Sequence, residues 1–146
     1  MKYVVCDIDG TLANDEHRAP LVQCPQPLWN SYFALCHRDK PILPTIRLLD
    51  YLFESHRVVL LTGRPIQVWK PTVRWLKDQG ILYHDLLMRR DHHPPDSTTF
   101  KTAALLEEFP DATPHNTFTV LEDRTPVVHH WRSHGYTVWQ VAGNDY

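Results

Sequence analysis

Short apolar runs alternate with helix-like spacing along most of the chain. Five of these runs have the length of buried strands, and most of them are rich in β-branched residues. They lie at residues 3–6, 57–61, 86–88, 118–121 and 136–141. Continuous apolar runs are typical of parallel strands that are covered on both faces. The pattern therefore predicts a parallel sheet.

Helical patterns lie between these runs. The clearest begins after Pro65, where apolar residues recur every three or four positions until Gly80. These residues are Ile66, Trp69, Val73 and Leu76. Proline favours the first turn of a helix and glycine the position after its end, so we predict a helix here with those four side chains on its buried face. Weaker patterns predict helices over residues 45–55, 98–109 and 126–134.

The alternation of strands and helices predicts an α/β fold. Such a chain forms a doubly wound parallel sheet in a Rossmann-like three-layer sandwich, with a ligand crevice at the carboxyl ends of the strands. Residues 11–44 interrupt the alternation, because they contain five prolines and show no clear period. We predict that they form a small cap insertion over the crevice. The length of 146 residues fits one domain over residues 1–146.

Composition and charge narrow the function classes. The net charge of -2 supplies no overall field for binding nucleic acid or a membrane, so such a partner would need a local basic patch. Three cysteines without C-x-x-C spacing argue against a disulfide framework and a zinc knuckle. No apolar run approaches the ~18 residues of a membrane span, and the apolar start is too short for a signal peptide. We therefore expect a cytoplasmic protein without a membrane partner.

Two carboxylates stand where the first predicted strand ends. Residues 7–11 read Asp-Ile-Asp-Gly-Thr, which puts Asp7 and Asp9 two positions apart. One carboxylate can attack a phosphate ester to form an aspartyl phosphate while the other transfers protons. The same pattern occurs in ordinary strand-to-turn exits and in calcium loops. A calcium loop is disfavoured, because a buried strand precedes Asp7 and no glutamate follows at the twelfth position.

The second predicted strand leads into Thr62, Gly63 and Arg64, just before the clearest helix. Backbone N–H groups at a helix N-terminus, together with the Thr62 hydroxyl, can hold phosphate oxygens. The alternative is local, because Thr62 can instead cap the helix or form part of a common turn.

Two further candidates follow later strands. Lys101 lies in the first turn of the third predicted helix, where its ammonium group can neutralise a phosphate, although a helical lysine is more often solvated. Glu122 and Asp123 offer the hard oxygen ligands that suit Mg²⁺, although acidic residues also favour helix N-termini. Because the carboxyl ends of parallel strands meet at one edge, we expect these groups to converge on one crevice.

The order of these motifs resembles the four signature motifs of the haloacid dehalogenase (HAD) superfamily. The matching segments are DIDGT at 7–11, LTGR at 61–64, Lys101 and the acidic pair at 122–123. Within the superfamily, residues 121–143 are similar to the polynucleotide 3'-phosphatase branch, represented by the 3'-phosphatase domain of T-even phage polynucleotide kinase. The resemblance implies a HAD-type fold. It also implies a phosphatase, since dehalogenases lack an acid at the position of Asp9 and pump ATPases carry threonine there.

The resemblance also implies roles around a metal ion. Asp7 would be the nucleophile and a metal ligand. Asp9 would be the general acid and base, and its backbone carbonyl would bind Mg²⁺. Glu122 and Asp123 would complete the metal site, but the related domain has two aspartates here, so which acid touches the metal directly stays open.

Phosphate contacts are implied in the same way. Thr62 and Lys101 would hold the phosphate, with Gly63 and Arg64 beside them, and Arg89 would add a substrate contact from the loop before Lys101. The implied partner is a phosphorylated nucleotide or a single-stranded nucleic-acid 3' end.

Two features depart from the related domains. No G-x-x-x-x-G-K-[ST] loop occurs, so we expect no kinase domain in this chain and any 5'-kinase activity to come from another chain. Phe100 stands where the related loop has a basic residue before the lysine, which leaves the substrate contacts on that side open.

Several aromatic and basic residues carry secondary predictions. Trp29, Tyr32 and Phe33 in the cap either stack on a base or pack the cap itself. Arg18 and Arg90, like Arg89, are candidate contacts for neighbouring phosphates. Three tryptophans are expected in the core. They are Trp69, Trp131 and Trp139. The histidine pairs at 92–93 and 129–130 are expected at the surface, because adjacent residues of a regular element face apart.

Three functions stay open on this basis: a phosphatase for nucleic-acid 3' ends or nucleotides, a small-metabolite phosphatase, and a non-catalytic phosphate-binding module. The second carboxylate, at Asp9, argues against the third, because binding alone does not need a proton carrier.

Overall fold

The computed structural model of the chain describes residues 1–144, with side chains as far as Ala142. Its strands are β1 (Tyr3–Cys6), β2 (Ala13–Asn14), β3 (Lys40–Pro41), β4 (Arg57–Pro65), β5 (Asp85–Arg89), β6 (Thr117–Arg124) and β7 (Val138–Asn144). Five of them form a parallel sheet in the order β5-β4-β1-β6-β7, and β2 pairs antiparallel with β3. The predicted doubly wound parallel α/β fold is therefore confirmed.

Helices cover both faces of this sheet. They are α2 (Leu43–Phe53), α3 (Trp69–Asp78), α4 (Ser97–Glu108) and α5 (Thr125–Ser133), whereas α1 (Trp29–Ala34) lies in the insertion between β1 and α2. On one face, Val4 and Cys6 pack with apolar residues of α2 and α3. On the other, Tyr3 and Val5 pack with α4 and α5. Successive residues of a strand point to opposite faces, so β1 needs an unbroken apolar sequence.

Strand β4 and the helix after it differ from the prediction. The strand continues through Pro65, which has an extended backbone, and a 3-10 turn over Ile66–Val68 precedes α3. The buried face of α3 consists of Thr72, Trp75 and Leu76, whereas Ile66 and Trp69 are exposed. The predicted helix is present, but its predicted face was wrong at those two positions. The reason is that Ile66 lies in the 3-10 turn and Trp69 is only the first residue of α3, so neither lies on the buried face of the helix.

The tryptophans divide between core and surface. Trp131 is buried between α5 and the sheet as predicted, but Trp69 and Trp139 are 47% and 44% exposed. Trp139 stands on β7 at the edge of the sheet and contacts Phe118 edge to face, at 5.7 Å between ring centroids. An edge strand is covered less completely than a central one, which is why its apolar residue remains partly in solvent.

Residues between β1 and α2 form a compact insertion. It contains the β2–β3 pair, helix α1 and two 3-10 turns, at Ala19–Leu21 and Cys36–Arg38. Tyr32 and Phe33 of α1 are buried within it. Across the described residues, no helix combines the length and the apolar character that a membrane crossing requires.

Candidate active site

Asp7 lies at the carboxyl edge of the central strand. It follows β1 directly, and its backbone N–H donates a hydrogen bond to the carbonyl of Leu121 in β6, at 3.0 Å. Gly10 then turns the chain with a φ of 82°, a left-handed conformation that glycine adopts without a steric cost. The turn brings Thr11 back, so that its hydroxyl lies 3.3 Å from Oδ2 of Asp7.

Lys101 joins Asp7 to the acidic pair at the end of β6. Its Nζ lies 2.7 Å from Oδ1 of Asp7 and 2.6 Å from Oε2 of Glu122, and all three side chains are buried. Burial alone would lower the pKa of Lys101, but the two carboxylates outweigh it and raise that pKa. Lys101 is therefore a fixed cation within the site rather than a solvated surface lysine.

The carboxylates of Asp7, Glu122 and Asp123 form a cluster that fits a divalent cation. One oxygen of each lies within 4.8 Å of the others, and all three residues are buried. Burial and the charge of Glu122 raise the pKa of Asp7 to about 7, although Lys101 opposes the shift. Three buried carboxylates around one lysine carry surplus negative charge, which a hard cation such as Mg²⁺ would neutralise.

Asp9 is held by two buried arginines. Arg18 from the insertion donates to its Oδ1, and Arg64 from β4 donates through Nη2 at 2.7 Å and Nε at 3.0 Å. Burial would raise the pKa of Asp9, but Arg64 and Arg18 lower it to about 2. In this conformation Asp9 is therefore ionised.

Asp39 completes this charge cluster and was not anticipated from the sequence. Its side chain is fully buried and accepts from Arg18 at 2.6 and 2.8 Å, from Arg64 at 3.2 Å, and from His17 at 2.7 Å. Its backbone carbonyl accepts from the indole of Trp75 at 2.8 Å. Nothing marks Asp39 locally, because it lies in the insertion far from every catalytic motif and reaches Asp9 only through the folded arginines.

The segment Thr62 to Arg64 is used differently from the prediction. It belongs to β4 and is not next to a helix N-terminus. The hydroxyl of Thr62 accepts the N–H of Arg64 at 3.1 Å, a local bond within the strand end that caps no helix. Arg64 is fully buried, and its guanidinium binds Asp9, Asp39 and Thr72. Gly63 lines the cavity beside Asp7.

A cavity of about 400 Å³ lies over Asp7 between the sheet and the insertion. It is lined by Asp7, Asp9, Val22, Trp29, Tyr32, Phe33, Gly63, Arg89, Pro95, Ser97, Phe100, Lys101 and Arg124. Asp7, Asp9 and Lys101 thus face one space. Phe100, which replaces a basic residue, lies in the core against α5 and presents an apolar side to this cavity.

Two predicted substrate contacts in the insertion have other partners. Arg18 is fully buried, binds Asp9 and Asp39, and stacks over the Tyr32 ring at 4.1 Å. Tyr32 donates its hydroxyl to Asp15 at 2.6 Å. Arg18 and Tyr32 therefore stabilise the insertion from within. Trp29 remains 50% exposed and is the cap aromatic that a base can reach.

The first histidine pair differs from the prediction in part, because His92 is at the surface whereas the His93 side chain is only 8% exposed. His92 and His93 lie in an irregular loop, so both rings can reach Glu107 of α4, each at 3.1 Å. The three side chains are close enough to hold a metal ion. However, Nδ1 of His93 accepts the N–H of Arg90 at 2.9 Å, which leaves the proton of the neutral ring on Nε2. That nitrogen then donates to Glu107, so the cluster ties the loop to α4 instead of offering a free ligand.

Comparisons with known proteins agree with this geometry. A family model described as the polynucleotide kinase PNKP phosphatase domain matches residues 1–146. Two solved structures of the Pnkp1/Rnl/Hen1 complex contain chains with 27% and 28% identity and TM-scores of 0.82 and 0.81. Both comparisons cover 100% of this chain but only 47% and 44% of those chains, so this chain spans less than half of their length.

A more distant structure shares the fold. L-2-haloacid dehalogenase from Xanthobacter autotrophicus has a TM-score of 0.71 at 14% identity, over 99% of this chain and 79% of that one. The family match over residues 1–146 shows that the chain belongs to the HAD-type polynucleotide kinase PNKP phosphatase domain family.

Proposed function

We propose that this chain is a Mg²⁺-dependent phosphomonoesterase that removes 3'-phosphates from single-stranded nucleic-acid ends or nucleotides through an aspartyl phosphate. The observation that carries this proposal is the arrangement around Asp7. Its carboxylate lies 2.7 Å from Lys101, shares a cation-sized cluster with Glu122 and Asp123, and faces a cavity that Asp9 also lines.

The reaction follows from these positions in two displacements. A carboxylate oxygen of Asp7 attacks phosphorus, the bond to the leaving oxygen breaks, and Asp9 gives that oxygen a proton. Water then attacks the phosphorus of the aspartyl phosphate, Asp9 takes the proton of the water, and the carboxylate of Asp7 leaves. The net result is an alcohol and inorganic phosphate, with both aspartates restored.

Asp9 has to become protonated when the substrate binds, because the first displacement uses it as an acid. In the free protein, Arg18 and Arg64 keep Asp9 ionised. A dianionic phosphate in the shared cavity repels the carboxylate of Asp9, and this repulsion raises the pKa of Asp9. Phosphate binding therefore favours the protonated form that the first displacement requires.

Asp7, Glu122 and Asp123, with the backbone carbonyl of Asp9, would hold Mg²⁺, which when bound supplies positive charge to the phosphoryl group. Lys101 adds a fixed cation at the nucleophile. Glu122 also accepts the N–H groups of Asp123 and Arg124, at 3.1 and 3.4 Å, which fixes its carboxylate beside Lys101. The proposed phosphate contacts that line the cavity are Gly63 and Arg89, and buried Thr62 precedes Gly63 in β4. Arg64 acts through its bonds to Asp9.

The substrate assignment draws on the relatives. The family is defined by phosphatase domains of polynucleotide kinase, and one related solved structure is an RNA repair complex. A nucleic-acid 3' end, in RNA or DNA, is therefore the proposed partner, with any 5'-kinase activity supplied by another chain. Trp29 lines the cavity and is half-exposed, so a nucleobase can stack on its ring.

A small-metabolite phosphatase is the second candidate. The observation that favours it is the cavity of about 400 Å³ under the insertion, together with the net charge of -2, which gives little attraction for a long polyanion. A non-catalytic binding module is disfavoured, because Asp9 and its two arginines form a costly buried cluster that phosphate binding alone does not need.

The test compares four substrates at equal concentration with Mg²⁺. They are a 3'-phosphorylated oligonucleotide, its 5'-phosphorylated isomer, a nucleoside 3'-monophosphate and a sugar phosphate. We expect the two 3'-phosphates to give the highest kcat/KM. If the sugar phosphate has the highest kcat/KM, the nucleic-acid assignment fails and the chain is a small-metabolite phosphatase. An aryl phosphate is assayed beside them as a general phosphatase substrate. If neither it nor any of the four is hydrolysed, the non-catalytic binding module is favoured.

A further inference from the structure

A second groove adjoins the catalytic cavity. It has a volume of about 630 Å³ and lies between the 3-10 turn after β4 and the loop after β5, where Gln67 and Arg90 contribute to its walls. Four residues line both spaces. They are Trp29, Phe33, Arg89 and Pro95. Because the spaces share these residues, a ligand whose reacting phosphate lies near Asp7 can extend into the groove.

Trp29 presents an aromatic face at the junction. Its ring stacks on Phe33, with centroids 5.9 Å apart and planes inclined by 24°, and meets Tyr32 edge to face at 5.7 Å. Phe33 and Tyr32 are buried, whereas Trp29 is 50% exposed. An indole that is supported from below and open above is a stacking surface for a nucleobase of any sequence.

Two consecutive arginines, Arg89 and Arg90, also line the groove. Arg89 is half-buried and donates to the carbonyl of Pro95 at 3.1 Å, while Arg90 is exposed. The backbone N–H of Arg90 binds His93, whose ring is tied to Glu107, so the loop that carries both arginines is anchored to α4. One carboxylate, Asp91, also lines the groove. A groove lined by an arginine pair and an exposed indole suits a nucleotide whose phosphodiester meets the arginines and whose base stacks on the indole.

We propose that this groove binds the penultimate nucleotide of a single strand whose 3'-terminal phosphate is at Asp7. Its base stacks on Trp29, and the phosphodiester that links it to the terminal nucleotide lies at Arg89 and Arg90. The enzyme then recognises a dinucleotide end rather than a single nucleotide. This inference rests on the proposed 3'-phosphatase function and specifies its minimal substrate.

The test is a length series of kcat/KM values on the full chain with Mg²⁺. The substrates are an aryl phosphate, a nucleoside 3'-monophosphate, and the dinucleotide and tetranucleotide with 3'-phosphates. We expect kcat/KM to rise about tenfold or more from the monophosphate to the dinucleotide, which is within the range of one stacked base, and to change little beyond it. The rise should lie mainly in KM.

Two variants assign the gain to the groove. Trp29→Ala and Arg90→Gln should each bring the ratio of dinucleotide to monophosphate efficiency down about tenfold. Arg74→Gln is the matched control for charge, because Arg74 is an exposed arginine of α3 that lines neither the cavity nor the groove. That control should keep the ratio of the unmodified chain. Arg90→Gln and Arg74→Gln should leave thermal unfolding unchanged, because both arginines are exposed. Trp29→Ala also loses the ring contacts with Phe33 and Tyr32, so its rates are compared at a temperature where thermal unfolding shows it folded.

The failures of the two proposals are distinguishable. Equal efficiencies for the monophosphate and the dinucleotide, or a ratio that both groove variants retain, overturn the dinucleotide inference and leave the 3'-phosphatase intact. Hydrolysis of the sugar phosphate or the aryl phosphate without hydrolysis of any nucleotide 3'-phosphate overturns both.

Discussion

Asp9 and Asp39 bind the same two guanidinium groups. Arg18 and Arg64 each donate to both carboxylates, so two acids and two arginines form one closed cluster. The Asp39 side chain is fully buried, whereas that of Asp9 is 15% exposed and lines the catalytic cavity. Because both arginines also bind Asp39, they attract Asp9 less strongly than they would if Asp9 were their only acidic partner.

Asp39 should act as a positioning residue for Asp9. In Asp39→Asn both arginines would interact more strongly with Asp9 and lower its pKa further, so kcat should fall about tenfold for a nucleoside 3'-phosphate, which needs a protonated leaving group. An aryl phosphate should lose much less. Asp50→Asn, an exposed site on α2, is the control. Equal losses on both substrates would indicate a purely structural role.

Asp7→Asn should abolish turnover without unfolding the chain. The amide keeps the shape but removes the attacking oxygen, and loss of a covalent nucleophile costs more than about a thousandfold in kcat. Because burial and Glu122 disfavour the charge on Asp7, the metal-free variant should be at least as stable as the original chain at pH 8. The checks are initial rates on aryl phosphate and thermal unfolding in EDTA. Substantial turnover by pure variant protein would contradict the mechanism.

Mg²⁺ should stabilise the chain more at pH 8 than at pH 5.5. The pKa of Asp7 is raised to about 7 from 3.8, so the metal-free folded state loses stability as the pH rises from about 4 through 7. The cation binds the ionised carboxylates and offsets this loss. Thermal unfolding with Mg²⁺ and with EDTA at both pH values measures the difference, and the same or a smaller gain at pH 8 would contradict it.

Hydrolysis should also depend on bound Mg²⁺. EDTA should stop hydrolysis and added Mg²⁺ should restore it, whereas Ca²⁺ should substitute poorly because its longer bonds and higher coordination number misplace the phosphate. Initial rates in chelated and resupplied protein test this. Full hydrolysis in excess EDTA would exclude a metal role for the three carboxylates.

Asp9→Asn should separate substrates by their leaving groups. A sugar hydroxyl needs a proton to depart and an aryl oxide does not, so the loss in kcat should be larger for a nucleoside 3'-phosphate by about tenfold or more. The variant also leaves Arg18 and Arg64 with one carboxylate, so we expect it to unfold more easily than Asp7→Asn, by roughly 2 kcal/mol. Losses of similar size on both substrates would mean that Asp9 serves the metal and not the proton.

The order of motifs in the sequence determined the fold and the identity of the central groups. An unbroken apolar β1 followed by Asp7 and Asp9 is sufficient to predict a buried parallel strand with carboxylates at its end. Lys101 and the acidic pair at 122–123 follow later elements in the expected order, and parallel topology brings them to the same edge. Those predictions depend only on local pattern and on the direction of the strands.

Only the tertiary structure decided how the remaining charges are paired. Arg18 and Arg64 have the same formal charge as a surface arginine, yet both are buried against Asp9 and Asp39. A buried arginine requires partners, and the acidic partners here are Asp9 after β1 and Asp39, thirty positions further along the chain. Periodicity records which side chains avoid water, but not which distant charges neutralise one another, because that depends on where the insertion packs over the sheet.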